Sequence, residues 1–408
     1  MNLNTIDNFY FIGIGGIGMS ALARYFNAWG KFVCGYDLTT TALTDELISE
    51  GIEVHFEENV NSIPQSILNP ADKSKVLIVY TPAVPDTNEE LTYFKQNDFS
   101  VKKRAEVLSL ITGQKFTIAV AGTHGKTTVS SMIAHILKHA GINCTAFLGG
   151  ISRNYNTNLI TAHPPNPSKK DLDGTGQVRR VSLPFGEGKG GAEVIFIVEA
   201  DEYDKSFLSL HPDIAVITST DADHLDIYGD VKHVEEAYFQ FAKQIKGKGK
   251  LIIKQDLKLV NELHQTSLIT YSLSAAEYFA KNIKIENGKY VFDIVTPVEE
   301  IRNIKLDIPG RHNMENAIAA IAVAQIMEIK VKDIKEAISS FKGVKRRFDY
   351  QVKTDDLIYI DDYAHHPQEI TACIQTVREL YPNRRITGIF QPIFIPEHVI
   401  LLTTLPEV

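Results

Sequence analysis

The hydrophobic pattern of this chain falls into short apolar runs separated by stretches of helical period. Asn8 to Ile14, Phe32 to Tyr36, Lys75 to Tyr80, Thr117 to Ala121, Thr145 to Leu148, Val194 to Val198 and Ile214 to Thr218 read as strands, and Val194 to Val198 has the continuous apolar character of a buried parallel strand. After Thr117 to Ala121, the residues Val129, Met132, Ile133, Ile136 and Leu137 keep the spacing of one helical face. A helical stretch ending at Trp29 and closed by Gly30, a run around Arg104 to Leu108, and an alanine-rich run from Met314 to Met327 predict further helices. Strands alternating with helices predict an α/β chain built on doubly wound sheets. Lys250 to Lys254, Tyr278 to Ile285, Lys289 to Ile294 and Asn303 to Leu306 predict strands that complete the second sheet and add a small antiparallel flap. Beyond them come a strand at Leu357 to Ile360, a helix opening at Pro367 and a last strand at Arg385 to Phe390.

Punctuation divides these elements into three expected domains: residues 1–112, 113–343 and 344–408, the last two joined by the basic hinge Lys342 to Phe348. The stretch from about His163 to Gly191, rich in Pro, Gly, Lys and Arg, reads as an exposed loop that could cover a bound substrate. The tail Gln391 to Val408 is apolar and has no clear period.

With 408 residues, 44% hydrophobic and 23% charged, the composition is that of a soluble globular protein of two or three domains. A net charge of −8 and a pI near 5.9 argue against a nucleic-acid surface. Cys34, Cys144 and Cys373 lack metal-ligand spacing and read as reduced thiols. No signal-peptide pattern and no long apolar stretch is present, so a cytoplasmic protein without a membrane anchor is expected.

Chemistry enters at the turns. Gly122-Thr123-His124-Gly125-Lys126-Thr127-Thr128, between a strand and a helix, is a shortened phosphate loop, with Val120 where the general pattern has its first glycine. Backbone N–H groups and the helix N-terminus would cradle a polyphosphate, Lys126 would reach its β- and γ-phosphates, and the Thr127 hydroxyl would hold Mg²⁺. At the end of the Val194 strand, Glu199, Asp201 and Glu202 are placed for a second Mg²⁺ ligand or for structural salt bridges. Asp221-Ala-Asp223-His224-Leu-Asp226 could cap a helix at Val231 or hold a divalent cation, the reading favoured for His224. Asn313 and Asn316 flank the start of the alanine-rich helix; Asn313 could cap it, or an amide could read an adenine edge. Arg346 and Arg347 at the hinge could swing onto a transferring phosphoryl group. Asp361-Asp362-Tyr363-Ala364-His365-His366-Pro367 reads as a ligand-site turn. Near the N-terminus, Gly13-Ile-Gly15-Gly16-Ile-Gly18-Met19-Ser20, with Asp37 beyond the next strand, is a Rossmann fingerprint that would suit any phosphate-bearing nucleotide.

Taken in order, Gly-x-Gly-Gly-x-Gly-Met-Ser, Gly-Thr-His-Gly-Lys-Thr-Thr, Glu-Ala-Asp-Glu-Tyr-Asp, Asp-His-Leu-Asp, Gly-x-His-Asn-x-x-Asn, Arg-Arg-Phe and Asp-Asp-Tyr-Ala-His-His-Pro resemble the Mur ligases of bacterial cell-wall synthesis, from about Phe9 to Pro392. The resemblance implies a Rossmann-like domain for a UDP-sugar, a central ATPase domain and a closing C-terminal domain. The branch it suggests joins L-alanine to the lactyl carboxylate of UDP-N-acetylmuramate through an acyl phosphate, with ATP as co-substrate and two Mg²⁺ ions, in a monomer or homodimer. A sister branch attaches a recycled tripeptide, and a folate polyglutamylating ligase shares the ATPase core; a nicotinamide oxidoreductase is suggested by the first fingerprint alone. By matching motifs, Lys126, Glu199, His224 and Arg347 would be catalytic, and Thr127, Glu199 and His224 would hold metal. Gly122 to Thr128, Asn313, Asn316, Arg347 and Asp362 would bind ATP. Gly15, Gly16, Gly18, Met19, Ser20, Asp37, Thr81 and Arg104 would bind the UDP-sugar, and His365 and His366 would lie on the amino-acid side. Ser219 stands where an asparagine is common, and Thr81-Pro82 replaces a frequent Ser-Ser. After Phe390-Gln391-Pro392 the chain leaves the family pattern, which predicts an incomplete closing domain.

Overall fold

The computed structural model describes residues 1–162, 194–221, 228, 230–263, 267–286 and 288–390. The expected loop at His163 to Gly191, the metal candidate His224 with Asp223 and Asp226, and the tail from Gln391 lie outside the described residues.

The N-terminal sheet is parallel throughout, with strands β1 (Asn8–Ile12), β2 (Phe32–Tyr36), β3 (Glu53–His55), β4 (Val76–Tyr80) and β5 (Ser100–Lys103) in the order β3-β2-β1-β4-β5. β1 runs between β2 and β4, and its four residues from Phe9 to Ile12 are fully buried. That position puts the glycine turn at the C-terminal end of the central strand, where the order of connection reverses and parallel sheets take their ligands. β3 and β5 were not expected from the sequence. They are short, sit at the sheet edges, and include Glu53-Val-His55 and Ser100-Val-Lys-Lys103, too polar to stand out as apolar runs.

Among the described residues, the second sheet has ten strands. β6 (Thr117–Ala121), β7 (Cys144–Ser152), β8 (Thr157–Ile160), β9 (Ile195–Ala200), β10 (Ile214–Ile217), β11 (Lys250–Lys254), β12 (Leu268–Ser272), β13 (Tyr278–Glu286), β14 (Lys289–Val295) and β15 (Glu300–Leu306) are ordered β15-β14-β13-β12-β11-β10-β6-β9-β7-β8. The stretch from β13 to β7 is parallel, while β8, β14 and β15 pair antiparallel, giving the expected flap at one end. β6 lies between β9 and β10, so the acidic residues after β9 and the polar residues after β10 flank the phosphate loop that β6 feeds.

The helix Lys126–His139 buries Val129, Met132, Ile133, Ile136 and Leu137 in one core with the helix Arg311–Ile326. That second helix begins at Arg311, three residues before Met314, with Gly310 at its N-cap (φ +108°). Asn313 therefore does not cap it: the residue lies within the first turn, and its amide donates to the Pro309 carbonyl at 2.6 Å. The helix Ile17–Ala28 packs the first sheet against the second. Phe26 stacks on Phe9 at 3.8 Å, while the neighbouring Tyr25 ring lies 5.3 Å from Phe147, and one hydrophobic core runs through both sheets.

The C-terminal segment contributes an antiparallel pair, β16 (Asp349–Lys353) and β17 (Ile358–Asp361), and the helix Pro367–Leu380. The strand expected at Arg385 to Phe390 does not form. Ile389 is 96% exposed, so this run has no neighbouring strand to complete its hydrogen bonds or cover its side chains among the described residues.

Candidate active site

The phosphate loop is held open by backbone that only glycine adopts without strain, Gly122 at φ +128° and Gly125 at φ +84°. A Cβ on Gly122 would collide with Thr218 Oγ1 and the Ser219 backbone, and one on Gly125 would lie 2.7 Å from Asn316 Oδ1. The exit of β10 braces the loop from outside. Thr218 donates its hydroxyl to the His124 carbonyl, Ser219 Oγ accepts the His124 N–H at 2.8 Å, and Thr123 Oγ1 donates to the Asp221 carbonyl at 2.9 Å. Ser219, at its departure from the family pattern, is thus part of the loop's scaffold. Asn316 donates to Asn313 Oδ1 at 3.2 Å, and the pair lies beneath the loop.

Inside the loop Lys126 Nζ donates to the Gly122 carbonyl at 2.7 Å and to both oxygens of Glu202 at 2.7 and 2.8 Å. Burial alone would lower the pKa of this ammonium, but the charges of Glu202 and Asp201 outweigh it and keep it above its ordinary value. Thr127 Oγ1 donates to Glu199 Oε2 at 3.0 Å; Glu199 Oε1 accepts the Gly149 N–H and, at 3.2 Å, the Ser130 hydroxyl. Burial pushes the Glu199 carboxyl above its ordinary pKa. A divalent cation would reverse that balance, and hydroxyl and carboxylate oxygens are the hard donors that Mg²⁺ takes alongside phosphate and water. Thr127 and Glu199 therefore fit a magnesium ion. Among the described residues no group of three or more His, Cys, Asp or Glu is arranged for a metal.

Around the N-terminal turn the expected residues divide. Gly13 has φ +83° and packs beside Thr81 and Val84, and Arg104, on the first residue of the helix Arg104–Thr112, lies against Gly18. Gly15, Gly16, Gly18, Thr81 and Arg104 thus converge at the end of β1. Met19 and Ser20 do not face that surface: Met19 is 1% exposed in the core, and the Ser20 hydroxyl donates to the Ile17 carbonyl and accepts the Asn158 amide at 2.8 Å. They point inward because the first turn of the helix Ile17–Ala28 packs on the second sheet, leaving Met19 only its backbone N–H to offer. Asp37 also serves the turn itself, accepting the Gly15 N–H at 2.7 Å and the Thr39 N–H at 3.1 Å. Arg104 Nη2 bonds Asp201 at 2.9 Å, tying this turn to the acidic end of β9.

The C-terminal segment reaches the loop through Glu369, which sequence reasoning missed. One of its oxygens lies 3.3 Å from His124 Nδ1 and 3.3 Å from Arg347 Nη1; the other accepts the His365 N–H at 3.2 Å. Burial raises the Glu369 carboxyl, but the His124 hydrogen bond and the Arg347 charge prevail and hold it well below the usual carboxylate range. The signal available was its place three residues after His366, the N3 position of a capping box at a histidine-rich helix start. His366 lies with its ring centroid 4.8 Å from that of His124, and Gln368 donates to Asp221 at 3.2 Å. Asp362 is occupied by backbone, accepting the Phe348 N–H at 2.7 Å and the Ala364 N–H at 2.8 Å, and so fixes the hinge.

A glycine turn and a phosphate loop on two joined sheets, with a third segment that lays His366 and Glu369 against His124 of the loop and Arg347 on Glu369, define a nucleotide-dependent ligase of the Mur type. The Mur ligase family catalytic domain matches residues 8–116, the Mur ligase middle domain residues 120–324, and the Mur ligase glutamate ligase domain residues 346–404, past the point where the sequence pattern departs. The chain belongs to the Mur ligase family. It is 48% identical over 398 residues to the UDP-N-acetylmuramate–L-alanine ligase of Flavobacterium johnsoniae, a match covering 96% of this chain and 79% of that protein. It is 46% identical over 386 residues to the ligase of the same name from Porphyromonas gingivalis, covering 94% and 78%. The crystal structure of the UDP-N-acetylmuramate–alanine ligase MurC from Thermotoga maritima superimposes with a TM-score of 0.77 at 27% identity, covering 94% of this chain and 80% of that one.

Proposed function

We propose that this chain joins L-alanine to the lactyl carboxylate of UDP-N-acetylmuramate with ATP, in the cytoplasmic synthesis of peptidoglycan precursors. The observation that carries the reading is the phosphate loop with Lys126 at its floor and Thr127 on Glu199, in a chain 48% identical to a ligase of that name. A carboxylate is a poor electrophile until one oxygen becomes a good leaving group. The lactyl carboxylate oxygen attacks the γ-phosphorus and ADP leaves. The alanine amine then attacks the acyl carbon, phosphate departs with the C–O electrons, and the amine's proton passes to solvent or a nearby base. Both steps need positioning and charge neutralisation more than covalent help from the protein.

Lys126 neutralises charge on the γ-phosphate, the loop N–H groups orient it, and Arg347 approaches from the C-terminal side. Thr127 and Glu199 would hold one magnesium ion and, on the family pattern, His224 a second; when bound, they would supply charge neutralisation for the phosphates and the substrate carboxylate. Gly15, Gly16, Gly18, Thr81 and Arg104 hold the UDP-sugar, and His365 and His366 face the amino acid. The domains run 1–112, 113–343 and from 344 onward.

Phosphate release from ATP by the 408-residue chain tests this reading. Release that requires both UDP-N-acetylmuramate and L-alanine is expected; release with an L-alanine-headed tripeptide but not L-alanine would move the chain to the recycling branch. No release with either, in protein that binds the nucleotide sugar, would leave a binding protein without ligase activity.

A further inference from the structure

Lys126 has no spare donor. A lysine ammonium carries three N–H groups, and three acceptors surround it: the Gly122 carbonyl at 2.7 Å and the two Glu202 oxygens at 2.7 and 2.8 Å. Glu202 is 3% exposed and stands two residues beyond β9, its own carbonyl accepting the Tyr228 hydroxyl at 2.7 Å. The adjacent Asp201 turns the other way, to Arg104, so the carboxylate on the lysine is that of Glu202. A polyphosphate entering the loop requires donors from the same ammonium. Glu202 and a phosphate oxygen cannot share it closely, because two anions repel strongly where water is excluded.

On the reading that this loop binds ATP, we infer that Glu202 is a positioning residue of the nucleotide step, a carboxylate that occupies the phosphate's place on Lys126 and yields the ammonium when phosphate enters. Until that exchange it keeps the lysine charged and folded into the loop. Part of the interaction with ATP is spent on displacing it, so the affinity of the natural protein is lower than the loop would give beside a neutral residue. Because Arg104 is paired with Asp201 and makes no contact with Glu202, the affinity for the nucleotide sugar is independent of the exchange.

Calorimetric titration of the full chain with the non-hydrolysable analogue AMP-PNP, and separately with UDP-N-acetylmuramate, tests this. Glu202→Gln removes the competing charge, and its Kd for the analogue is expected to fall about fivefold to tenfold, as the fraction of free lysine rises. The Kd for the nucleotide sugar is expected to stay the same. A residue that only stabilised the fold would lower Tm and leave nucleotide affinity unchanged or weaker, and either result overturns the inference. Should Glu202→Gln fail to fold, Glu202→Asp keeps the charge but shortens its reach, and about a twofold gain is expected by the same argument; no gain overturns it. Natural protein that binds neither AMP-PNP nor ATP removes the nucleotide reading and this inference together. Natural protein that binds, with variants that do not differ from it, removes this inference alone.

Discussion

The two glycine turns of this chain are built alike and surrounded differently. Each follows a strand with a parallel neighbour on either side, each relies on positive-φ glycine, and each opens into a helix. At the first, Asp37 is bonded to the turn's own backbone, and Arg104 is paired with Asp201. At the second, Lys126 lies against Glu202, Thr127 against Glu199, and His124 and Arg347 against Glu369. A helix N-terminus with glycines is enough to hold an anion. Moving a phosphoryl group requires cations that can exchange partners, and at the second turn Lys126 and Arg347 stand beside carboxylates that a phosphate would replace.

The largest effect that separates the two turns comes from Lys126→Ala. ATP turnover should fall by roughly 10³-fold or more, since a buried charge that stabilises the transferring phosphoryl is lost. Binding of UDP-N-acetylmuramate, measured by calorimetry, should stay within about twofold because the turn proposed to hold its diphosphate is built from other residues. Loss of both in equal measure would mean that the turns act as one site.

A smaller contrast lies in the backbone. Gly122→Ala places a Cβ against Thr218 and the Ser219 backbone at φ +128°, so it should cost about 2 kcal/mol or more and remove nucleotide binding. At Gly18 an added Cβ meets only the Arg104 side chain, which can move. Gly18→Ala should therefore keep the unfolding free energy from urea titration within about 0.5 kcal/mol of the natural protein while weakening binding of the nucleotide sugar. Similar destabilisation in both would show that the first turn is as rigid as the second.

Much of this contrast is legible in the sequence, and the part that is not has a physical cause. The strand before each turn is a continuous apolar run, and the glycines and Lys-Thr pair mark the turns themselves. That the Met19 and Ser20 side chains turn into the core is visible only in the fold, because a motif records which residues follow the glycines, not which face of the helix packs on another sheet. Asp37 also accepts the Gly15 and Thr39 N–H groups, contacts that its spacing in the sequence does not reveal. Glu369 stayed hidden because its partners, His124 and Arg347, are 245 and 22 positions away, and only the folded chain brings them together. The strand at Arg385 to Phe390 was expected from its apolar residues, but a strand forms only beside a partner.

The two halves should also answer pH in opposite senses, the smallest effect and the most discriminating. On the phosphate-loop helix, His135 lies between the Tyr155 hydroxyl at 2.9 Å and Ser340 Oγ at 3.0 Å, and burial, with the nearby His139, lowers its pKa to about 4. A depressed histidine is neutral in the fold, so its contribution is present above the unfolded value near 6.5 and is lost as pH falls toward 4. In the first sheet, Glu90 is fully buried, accepts the Tyr10 hydroxyl at 2.6 Å and the Asn59 N–H at 3.2 Å, and is pushed up by burial to about 7. A raised carboxyl keeps its proton in the fold, so its contribution is present below the unfolded value of 4.5 and is lost as pH rises through 7. From about pH 8 to pH 6 the loop half should lose, and the first half gain, about 1 kcal/mol each. Hydrogen exchange of amides in the helix Lys126–His139 and in β1, followed across that range, reads the two separately. His135→Gln should flatten the first response and Glu90→Gln the second. Exchange that changes in the same direction in both halves would mean that they unfold as one unit, joined by the core that Tyr25, Phe26 and Phe147 share.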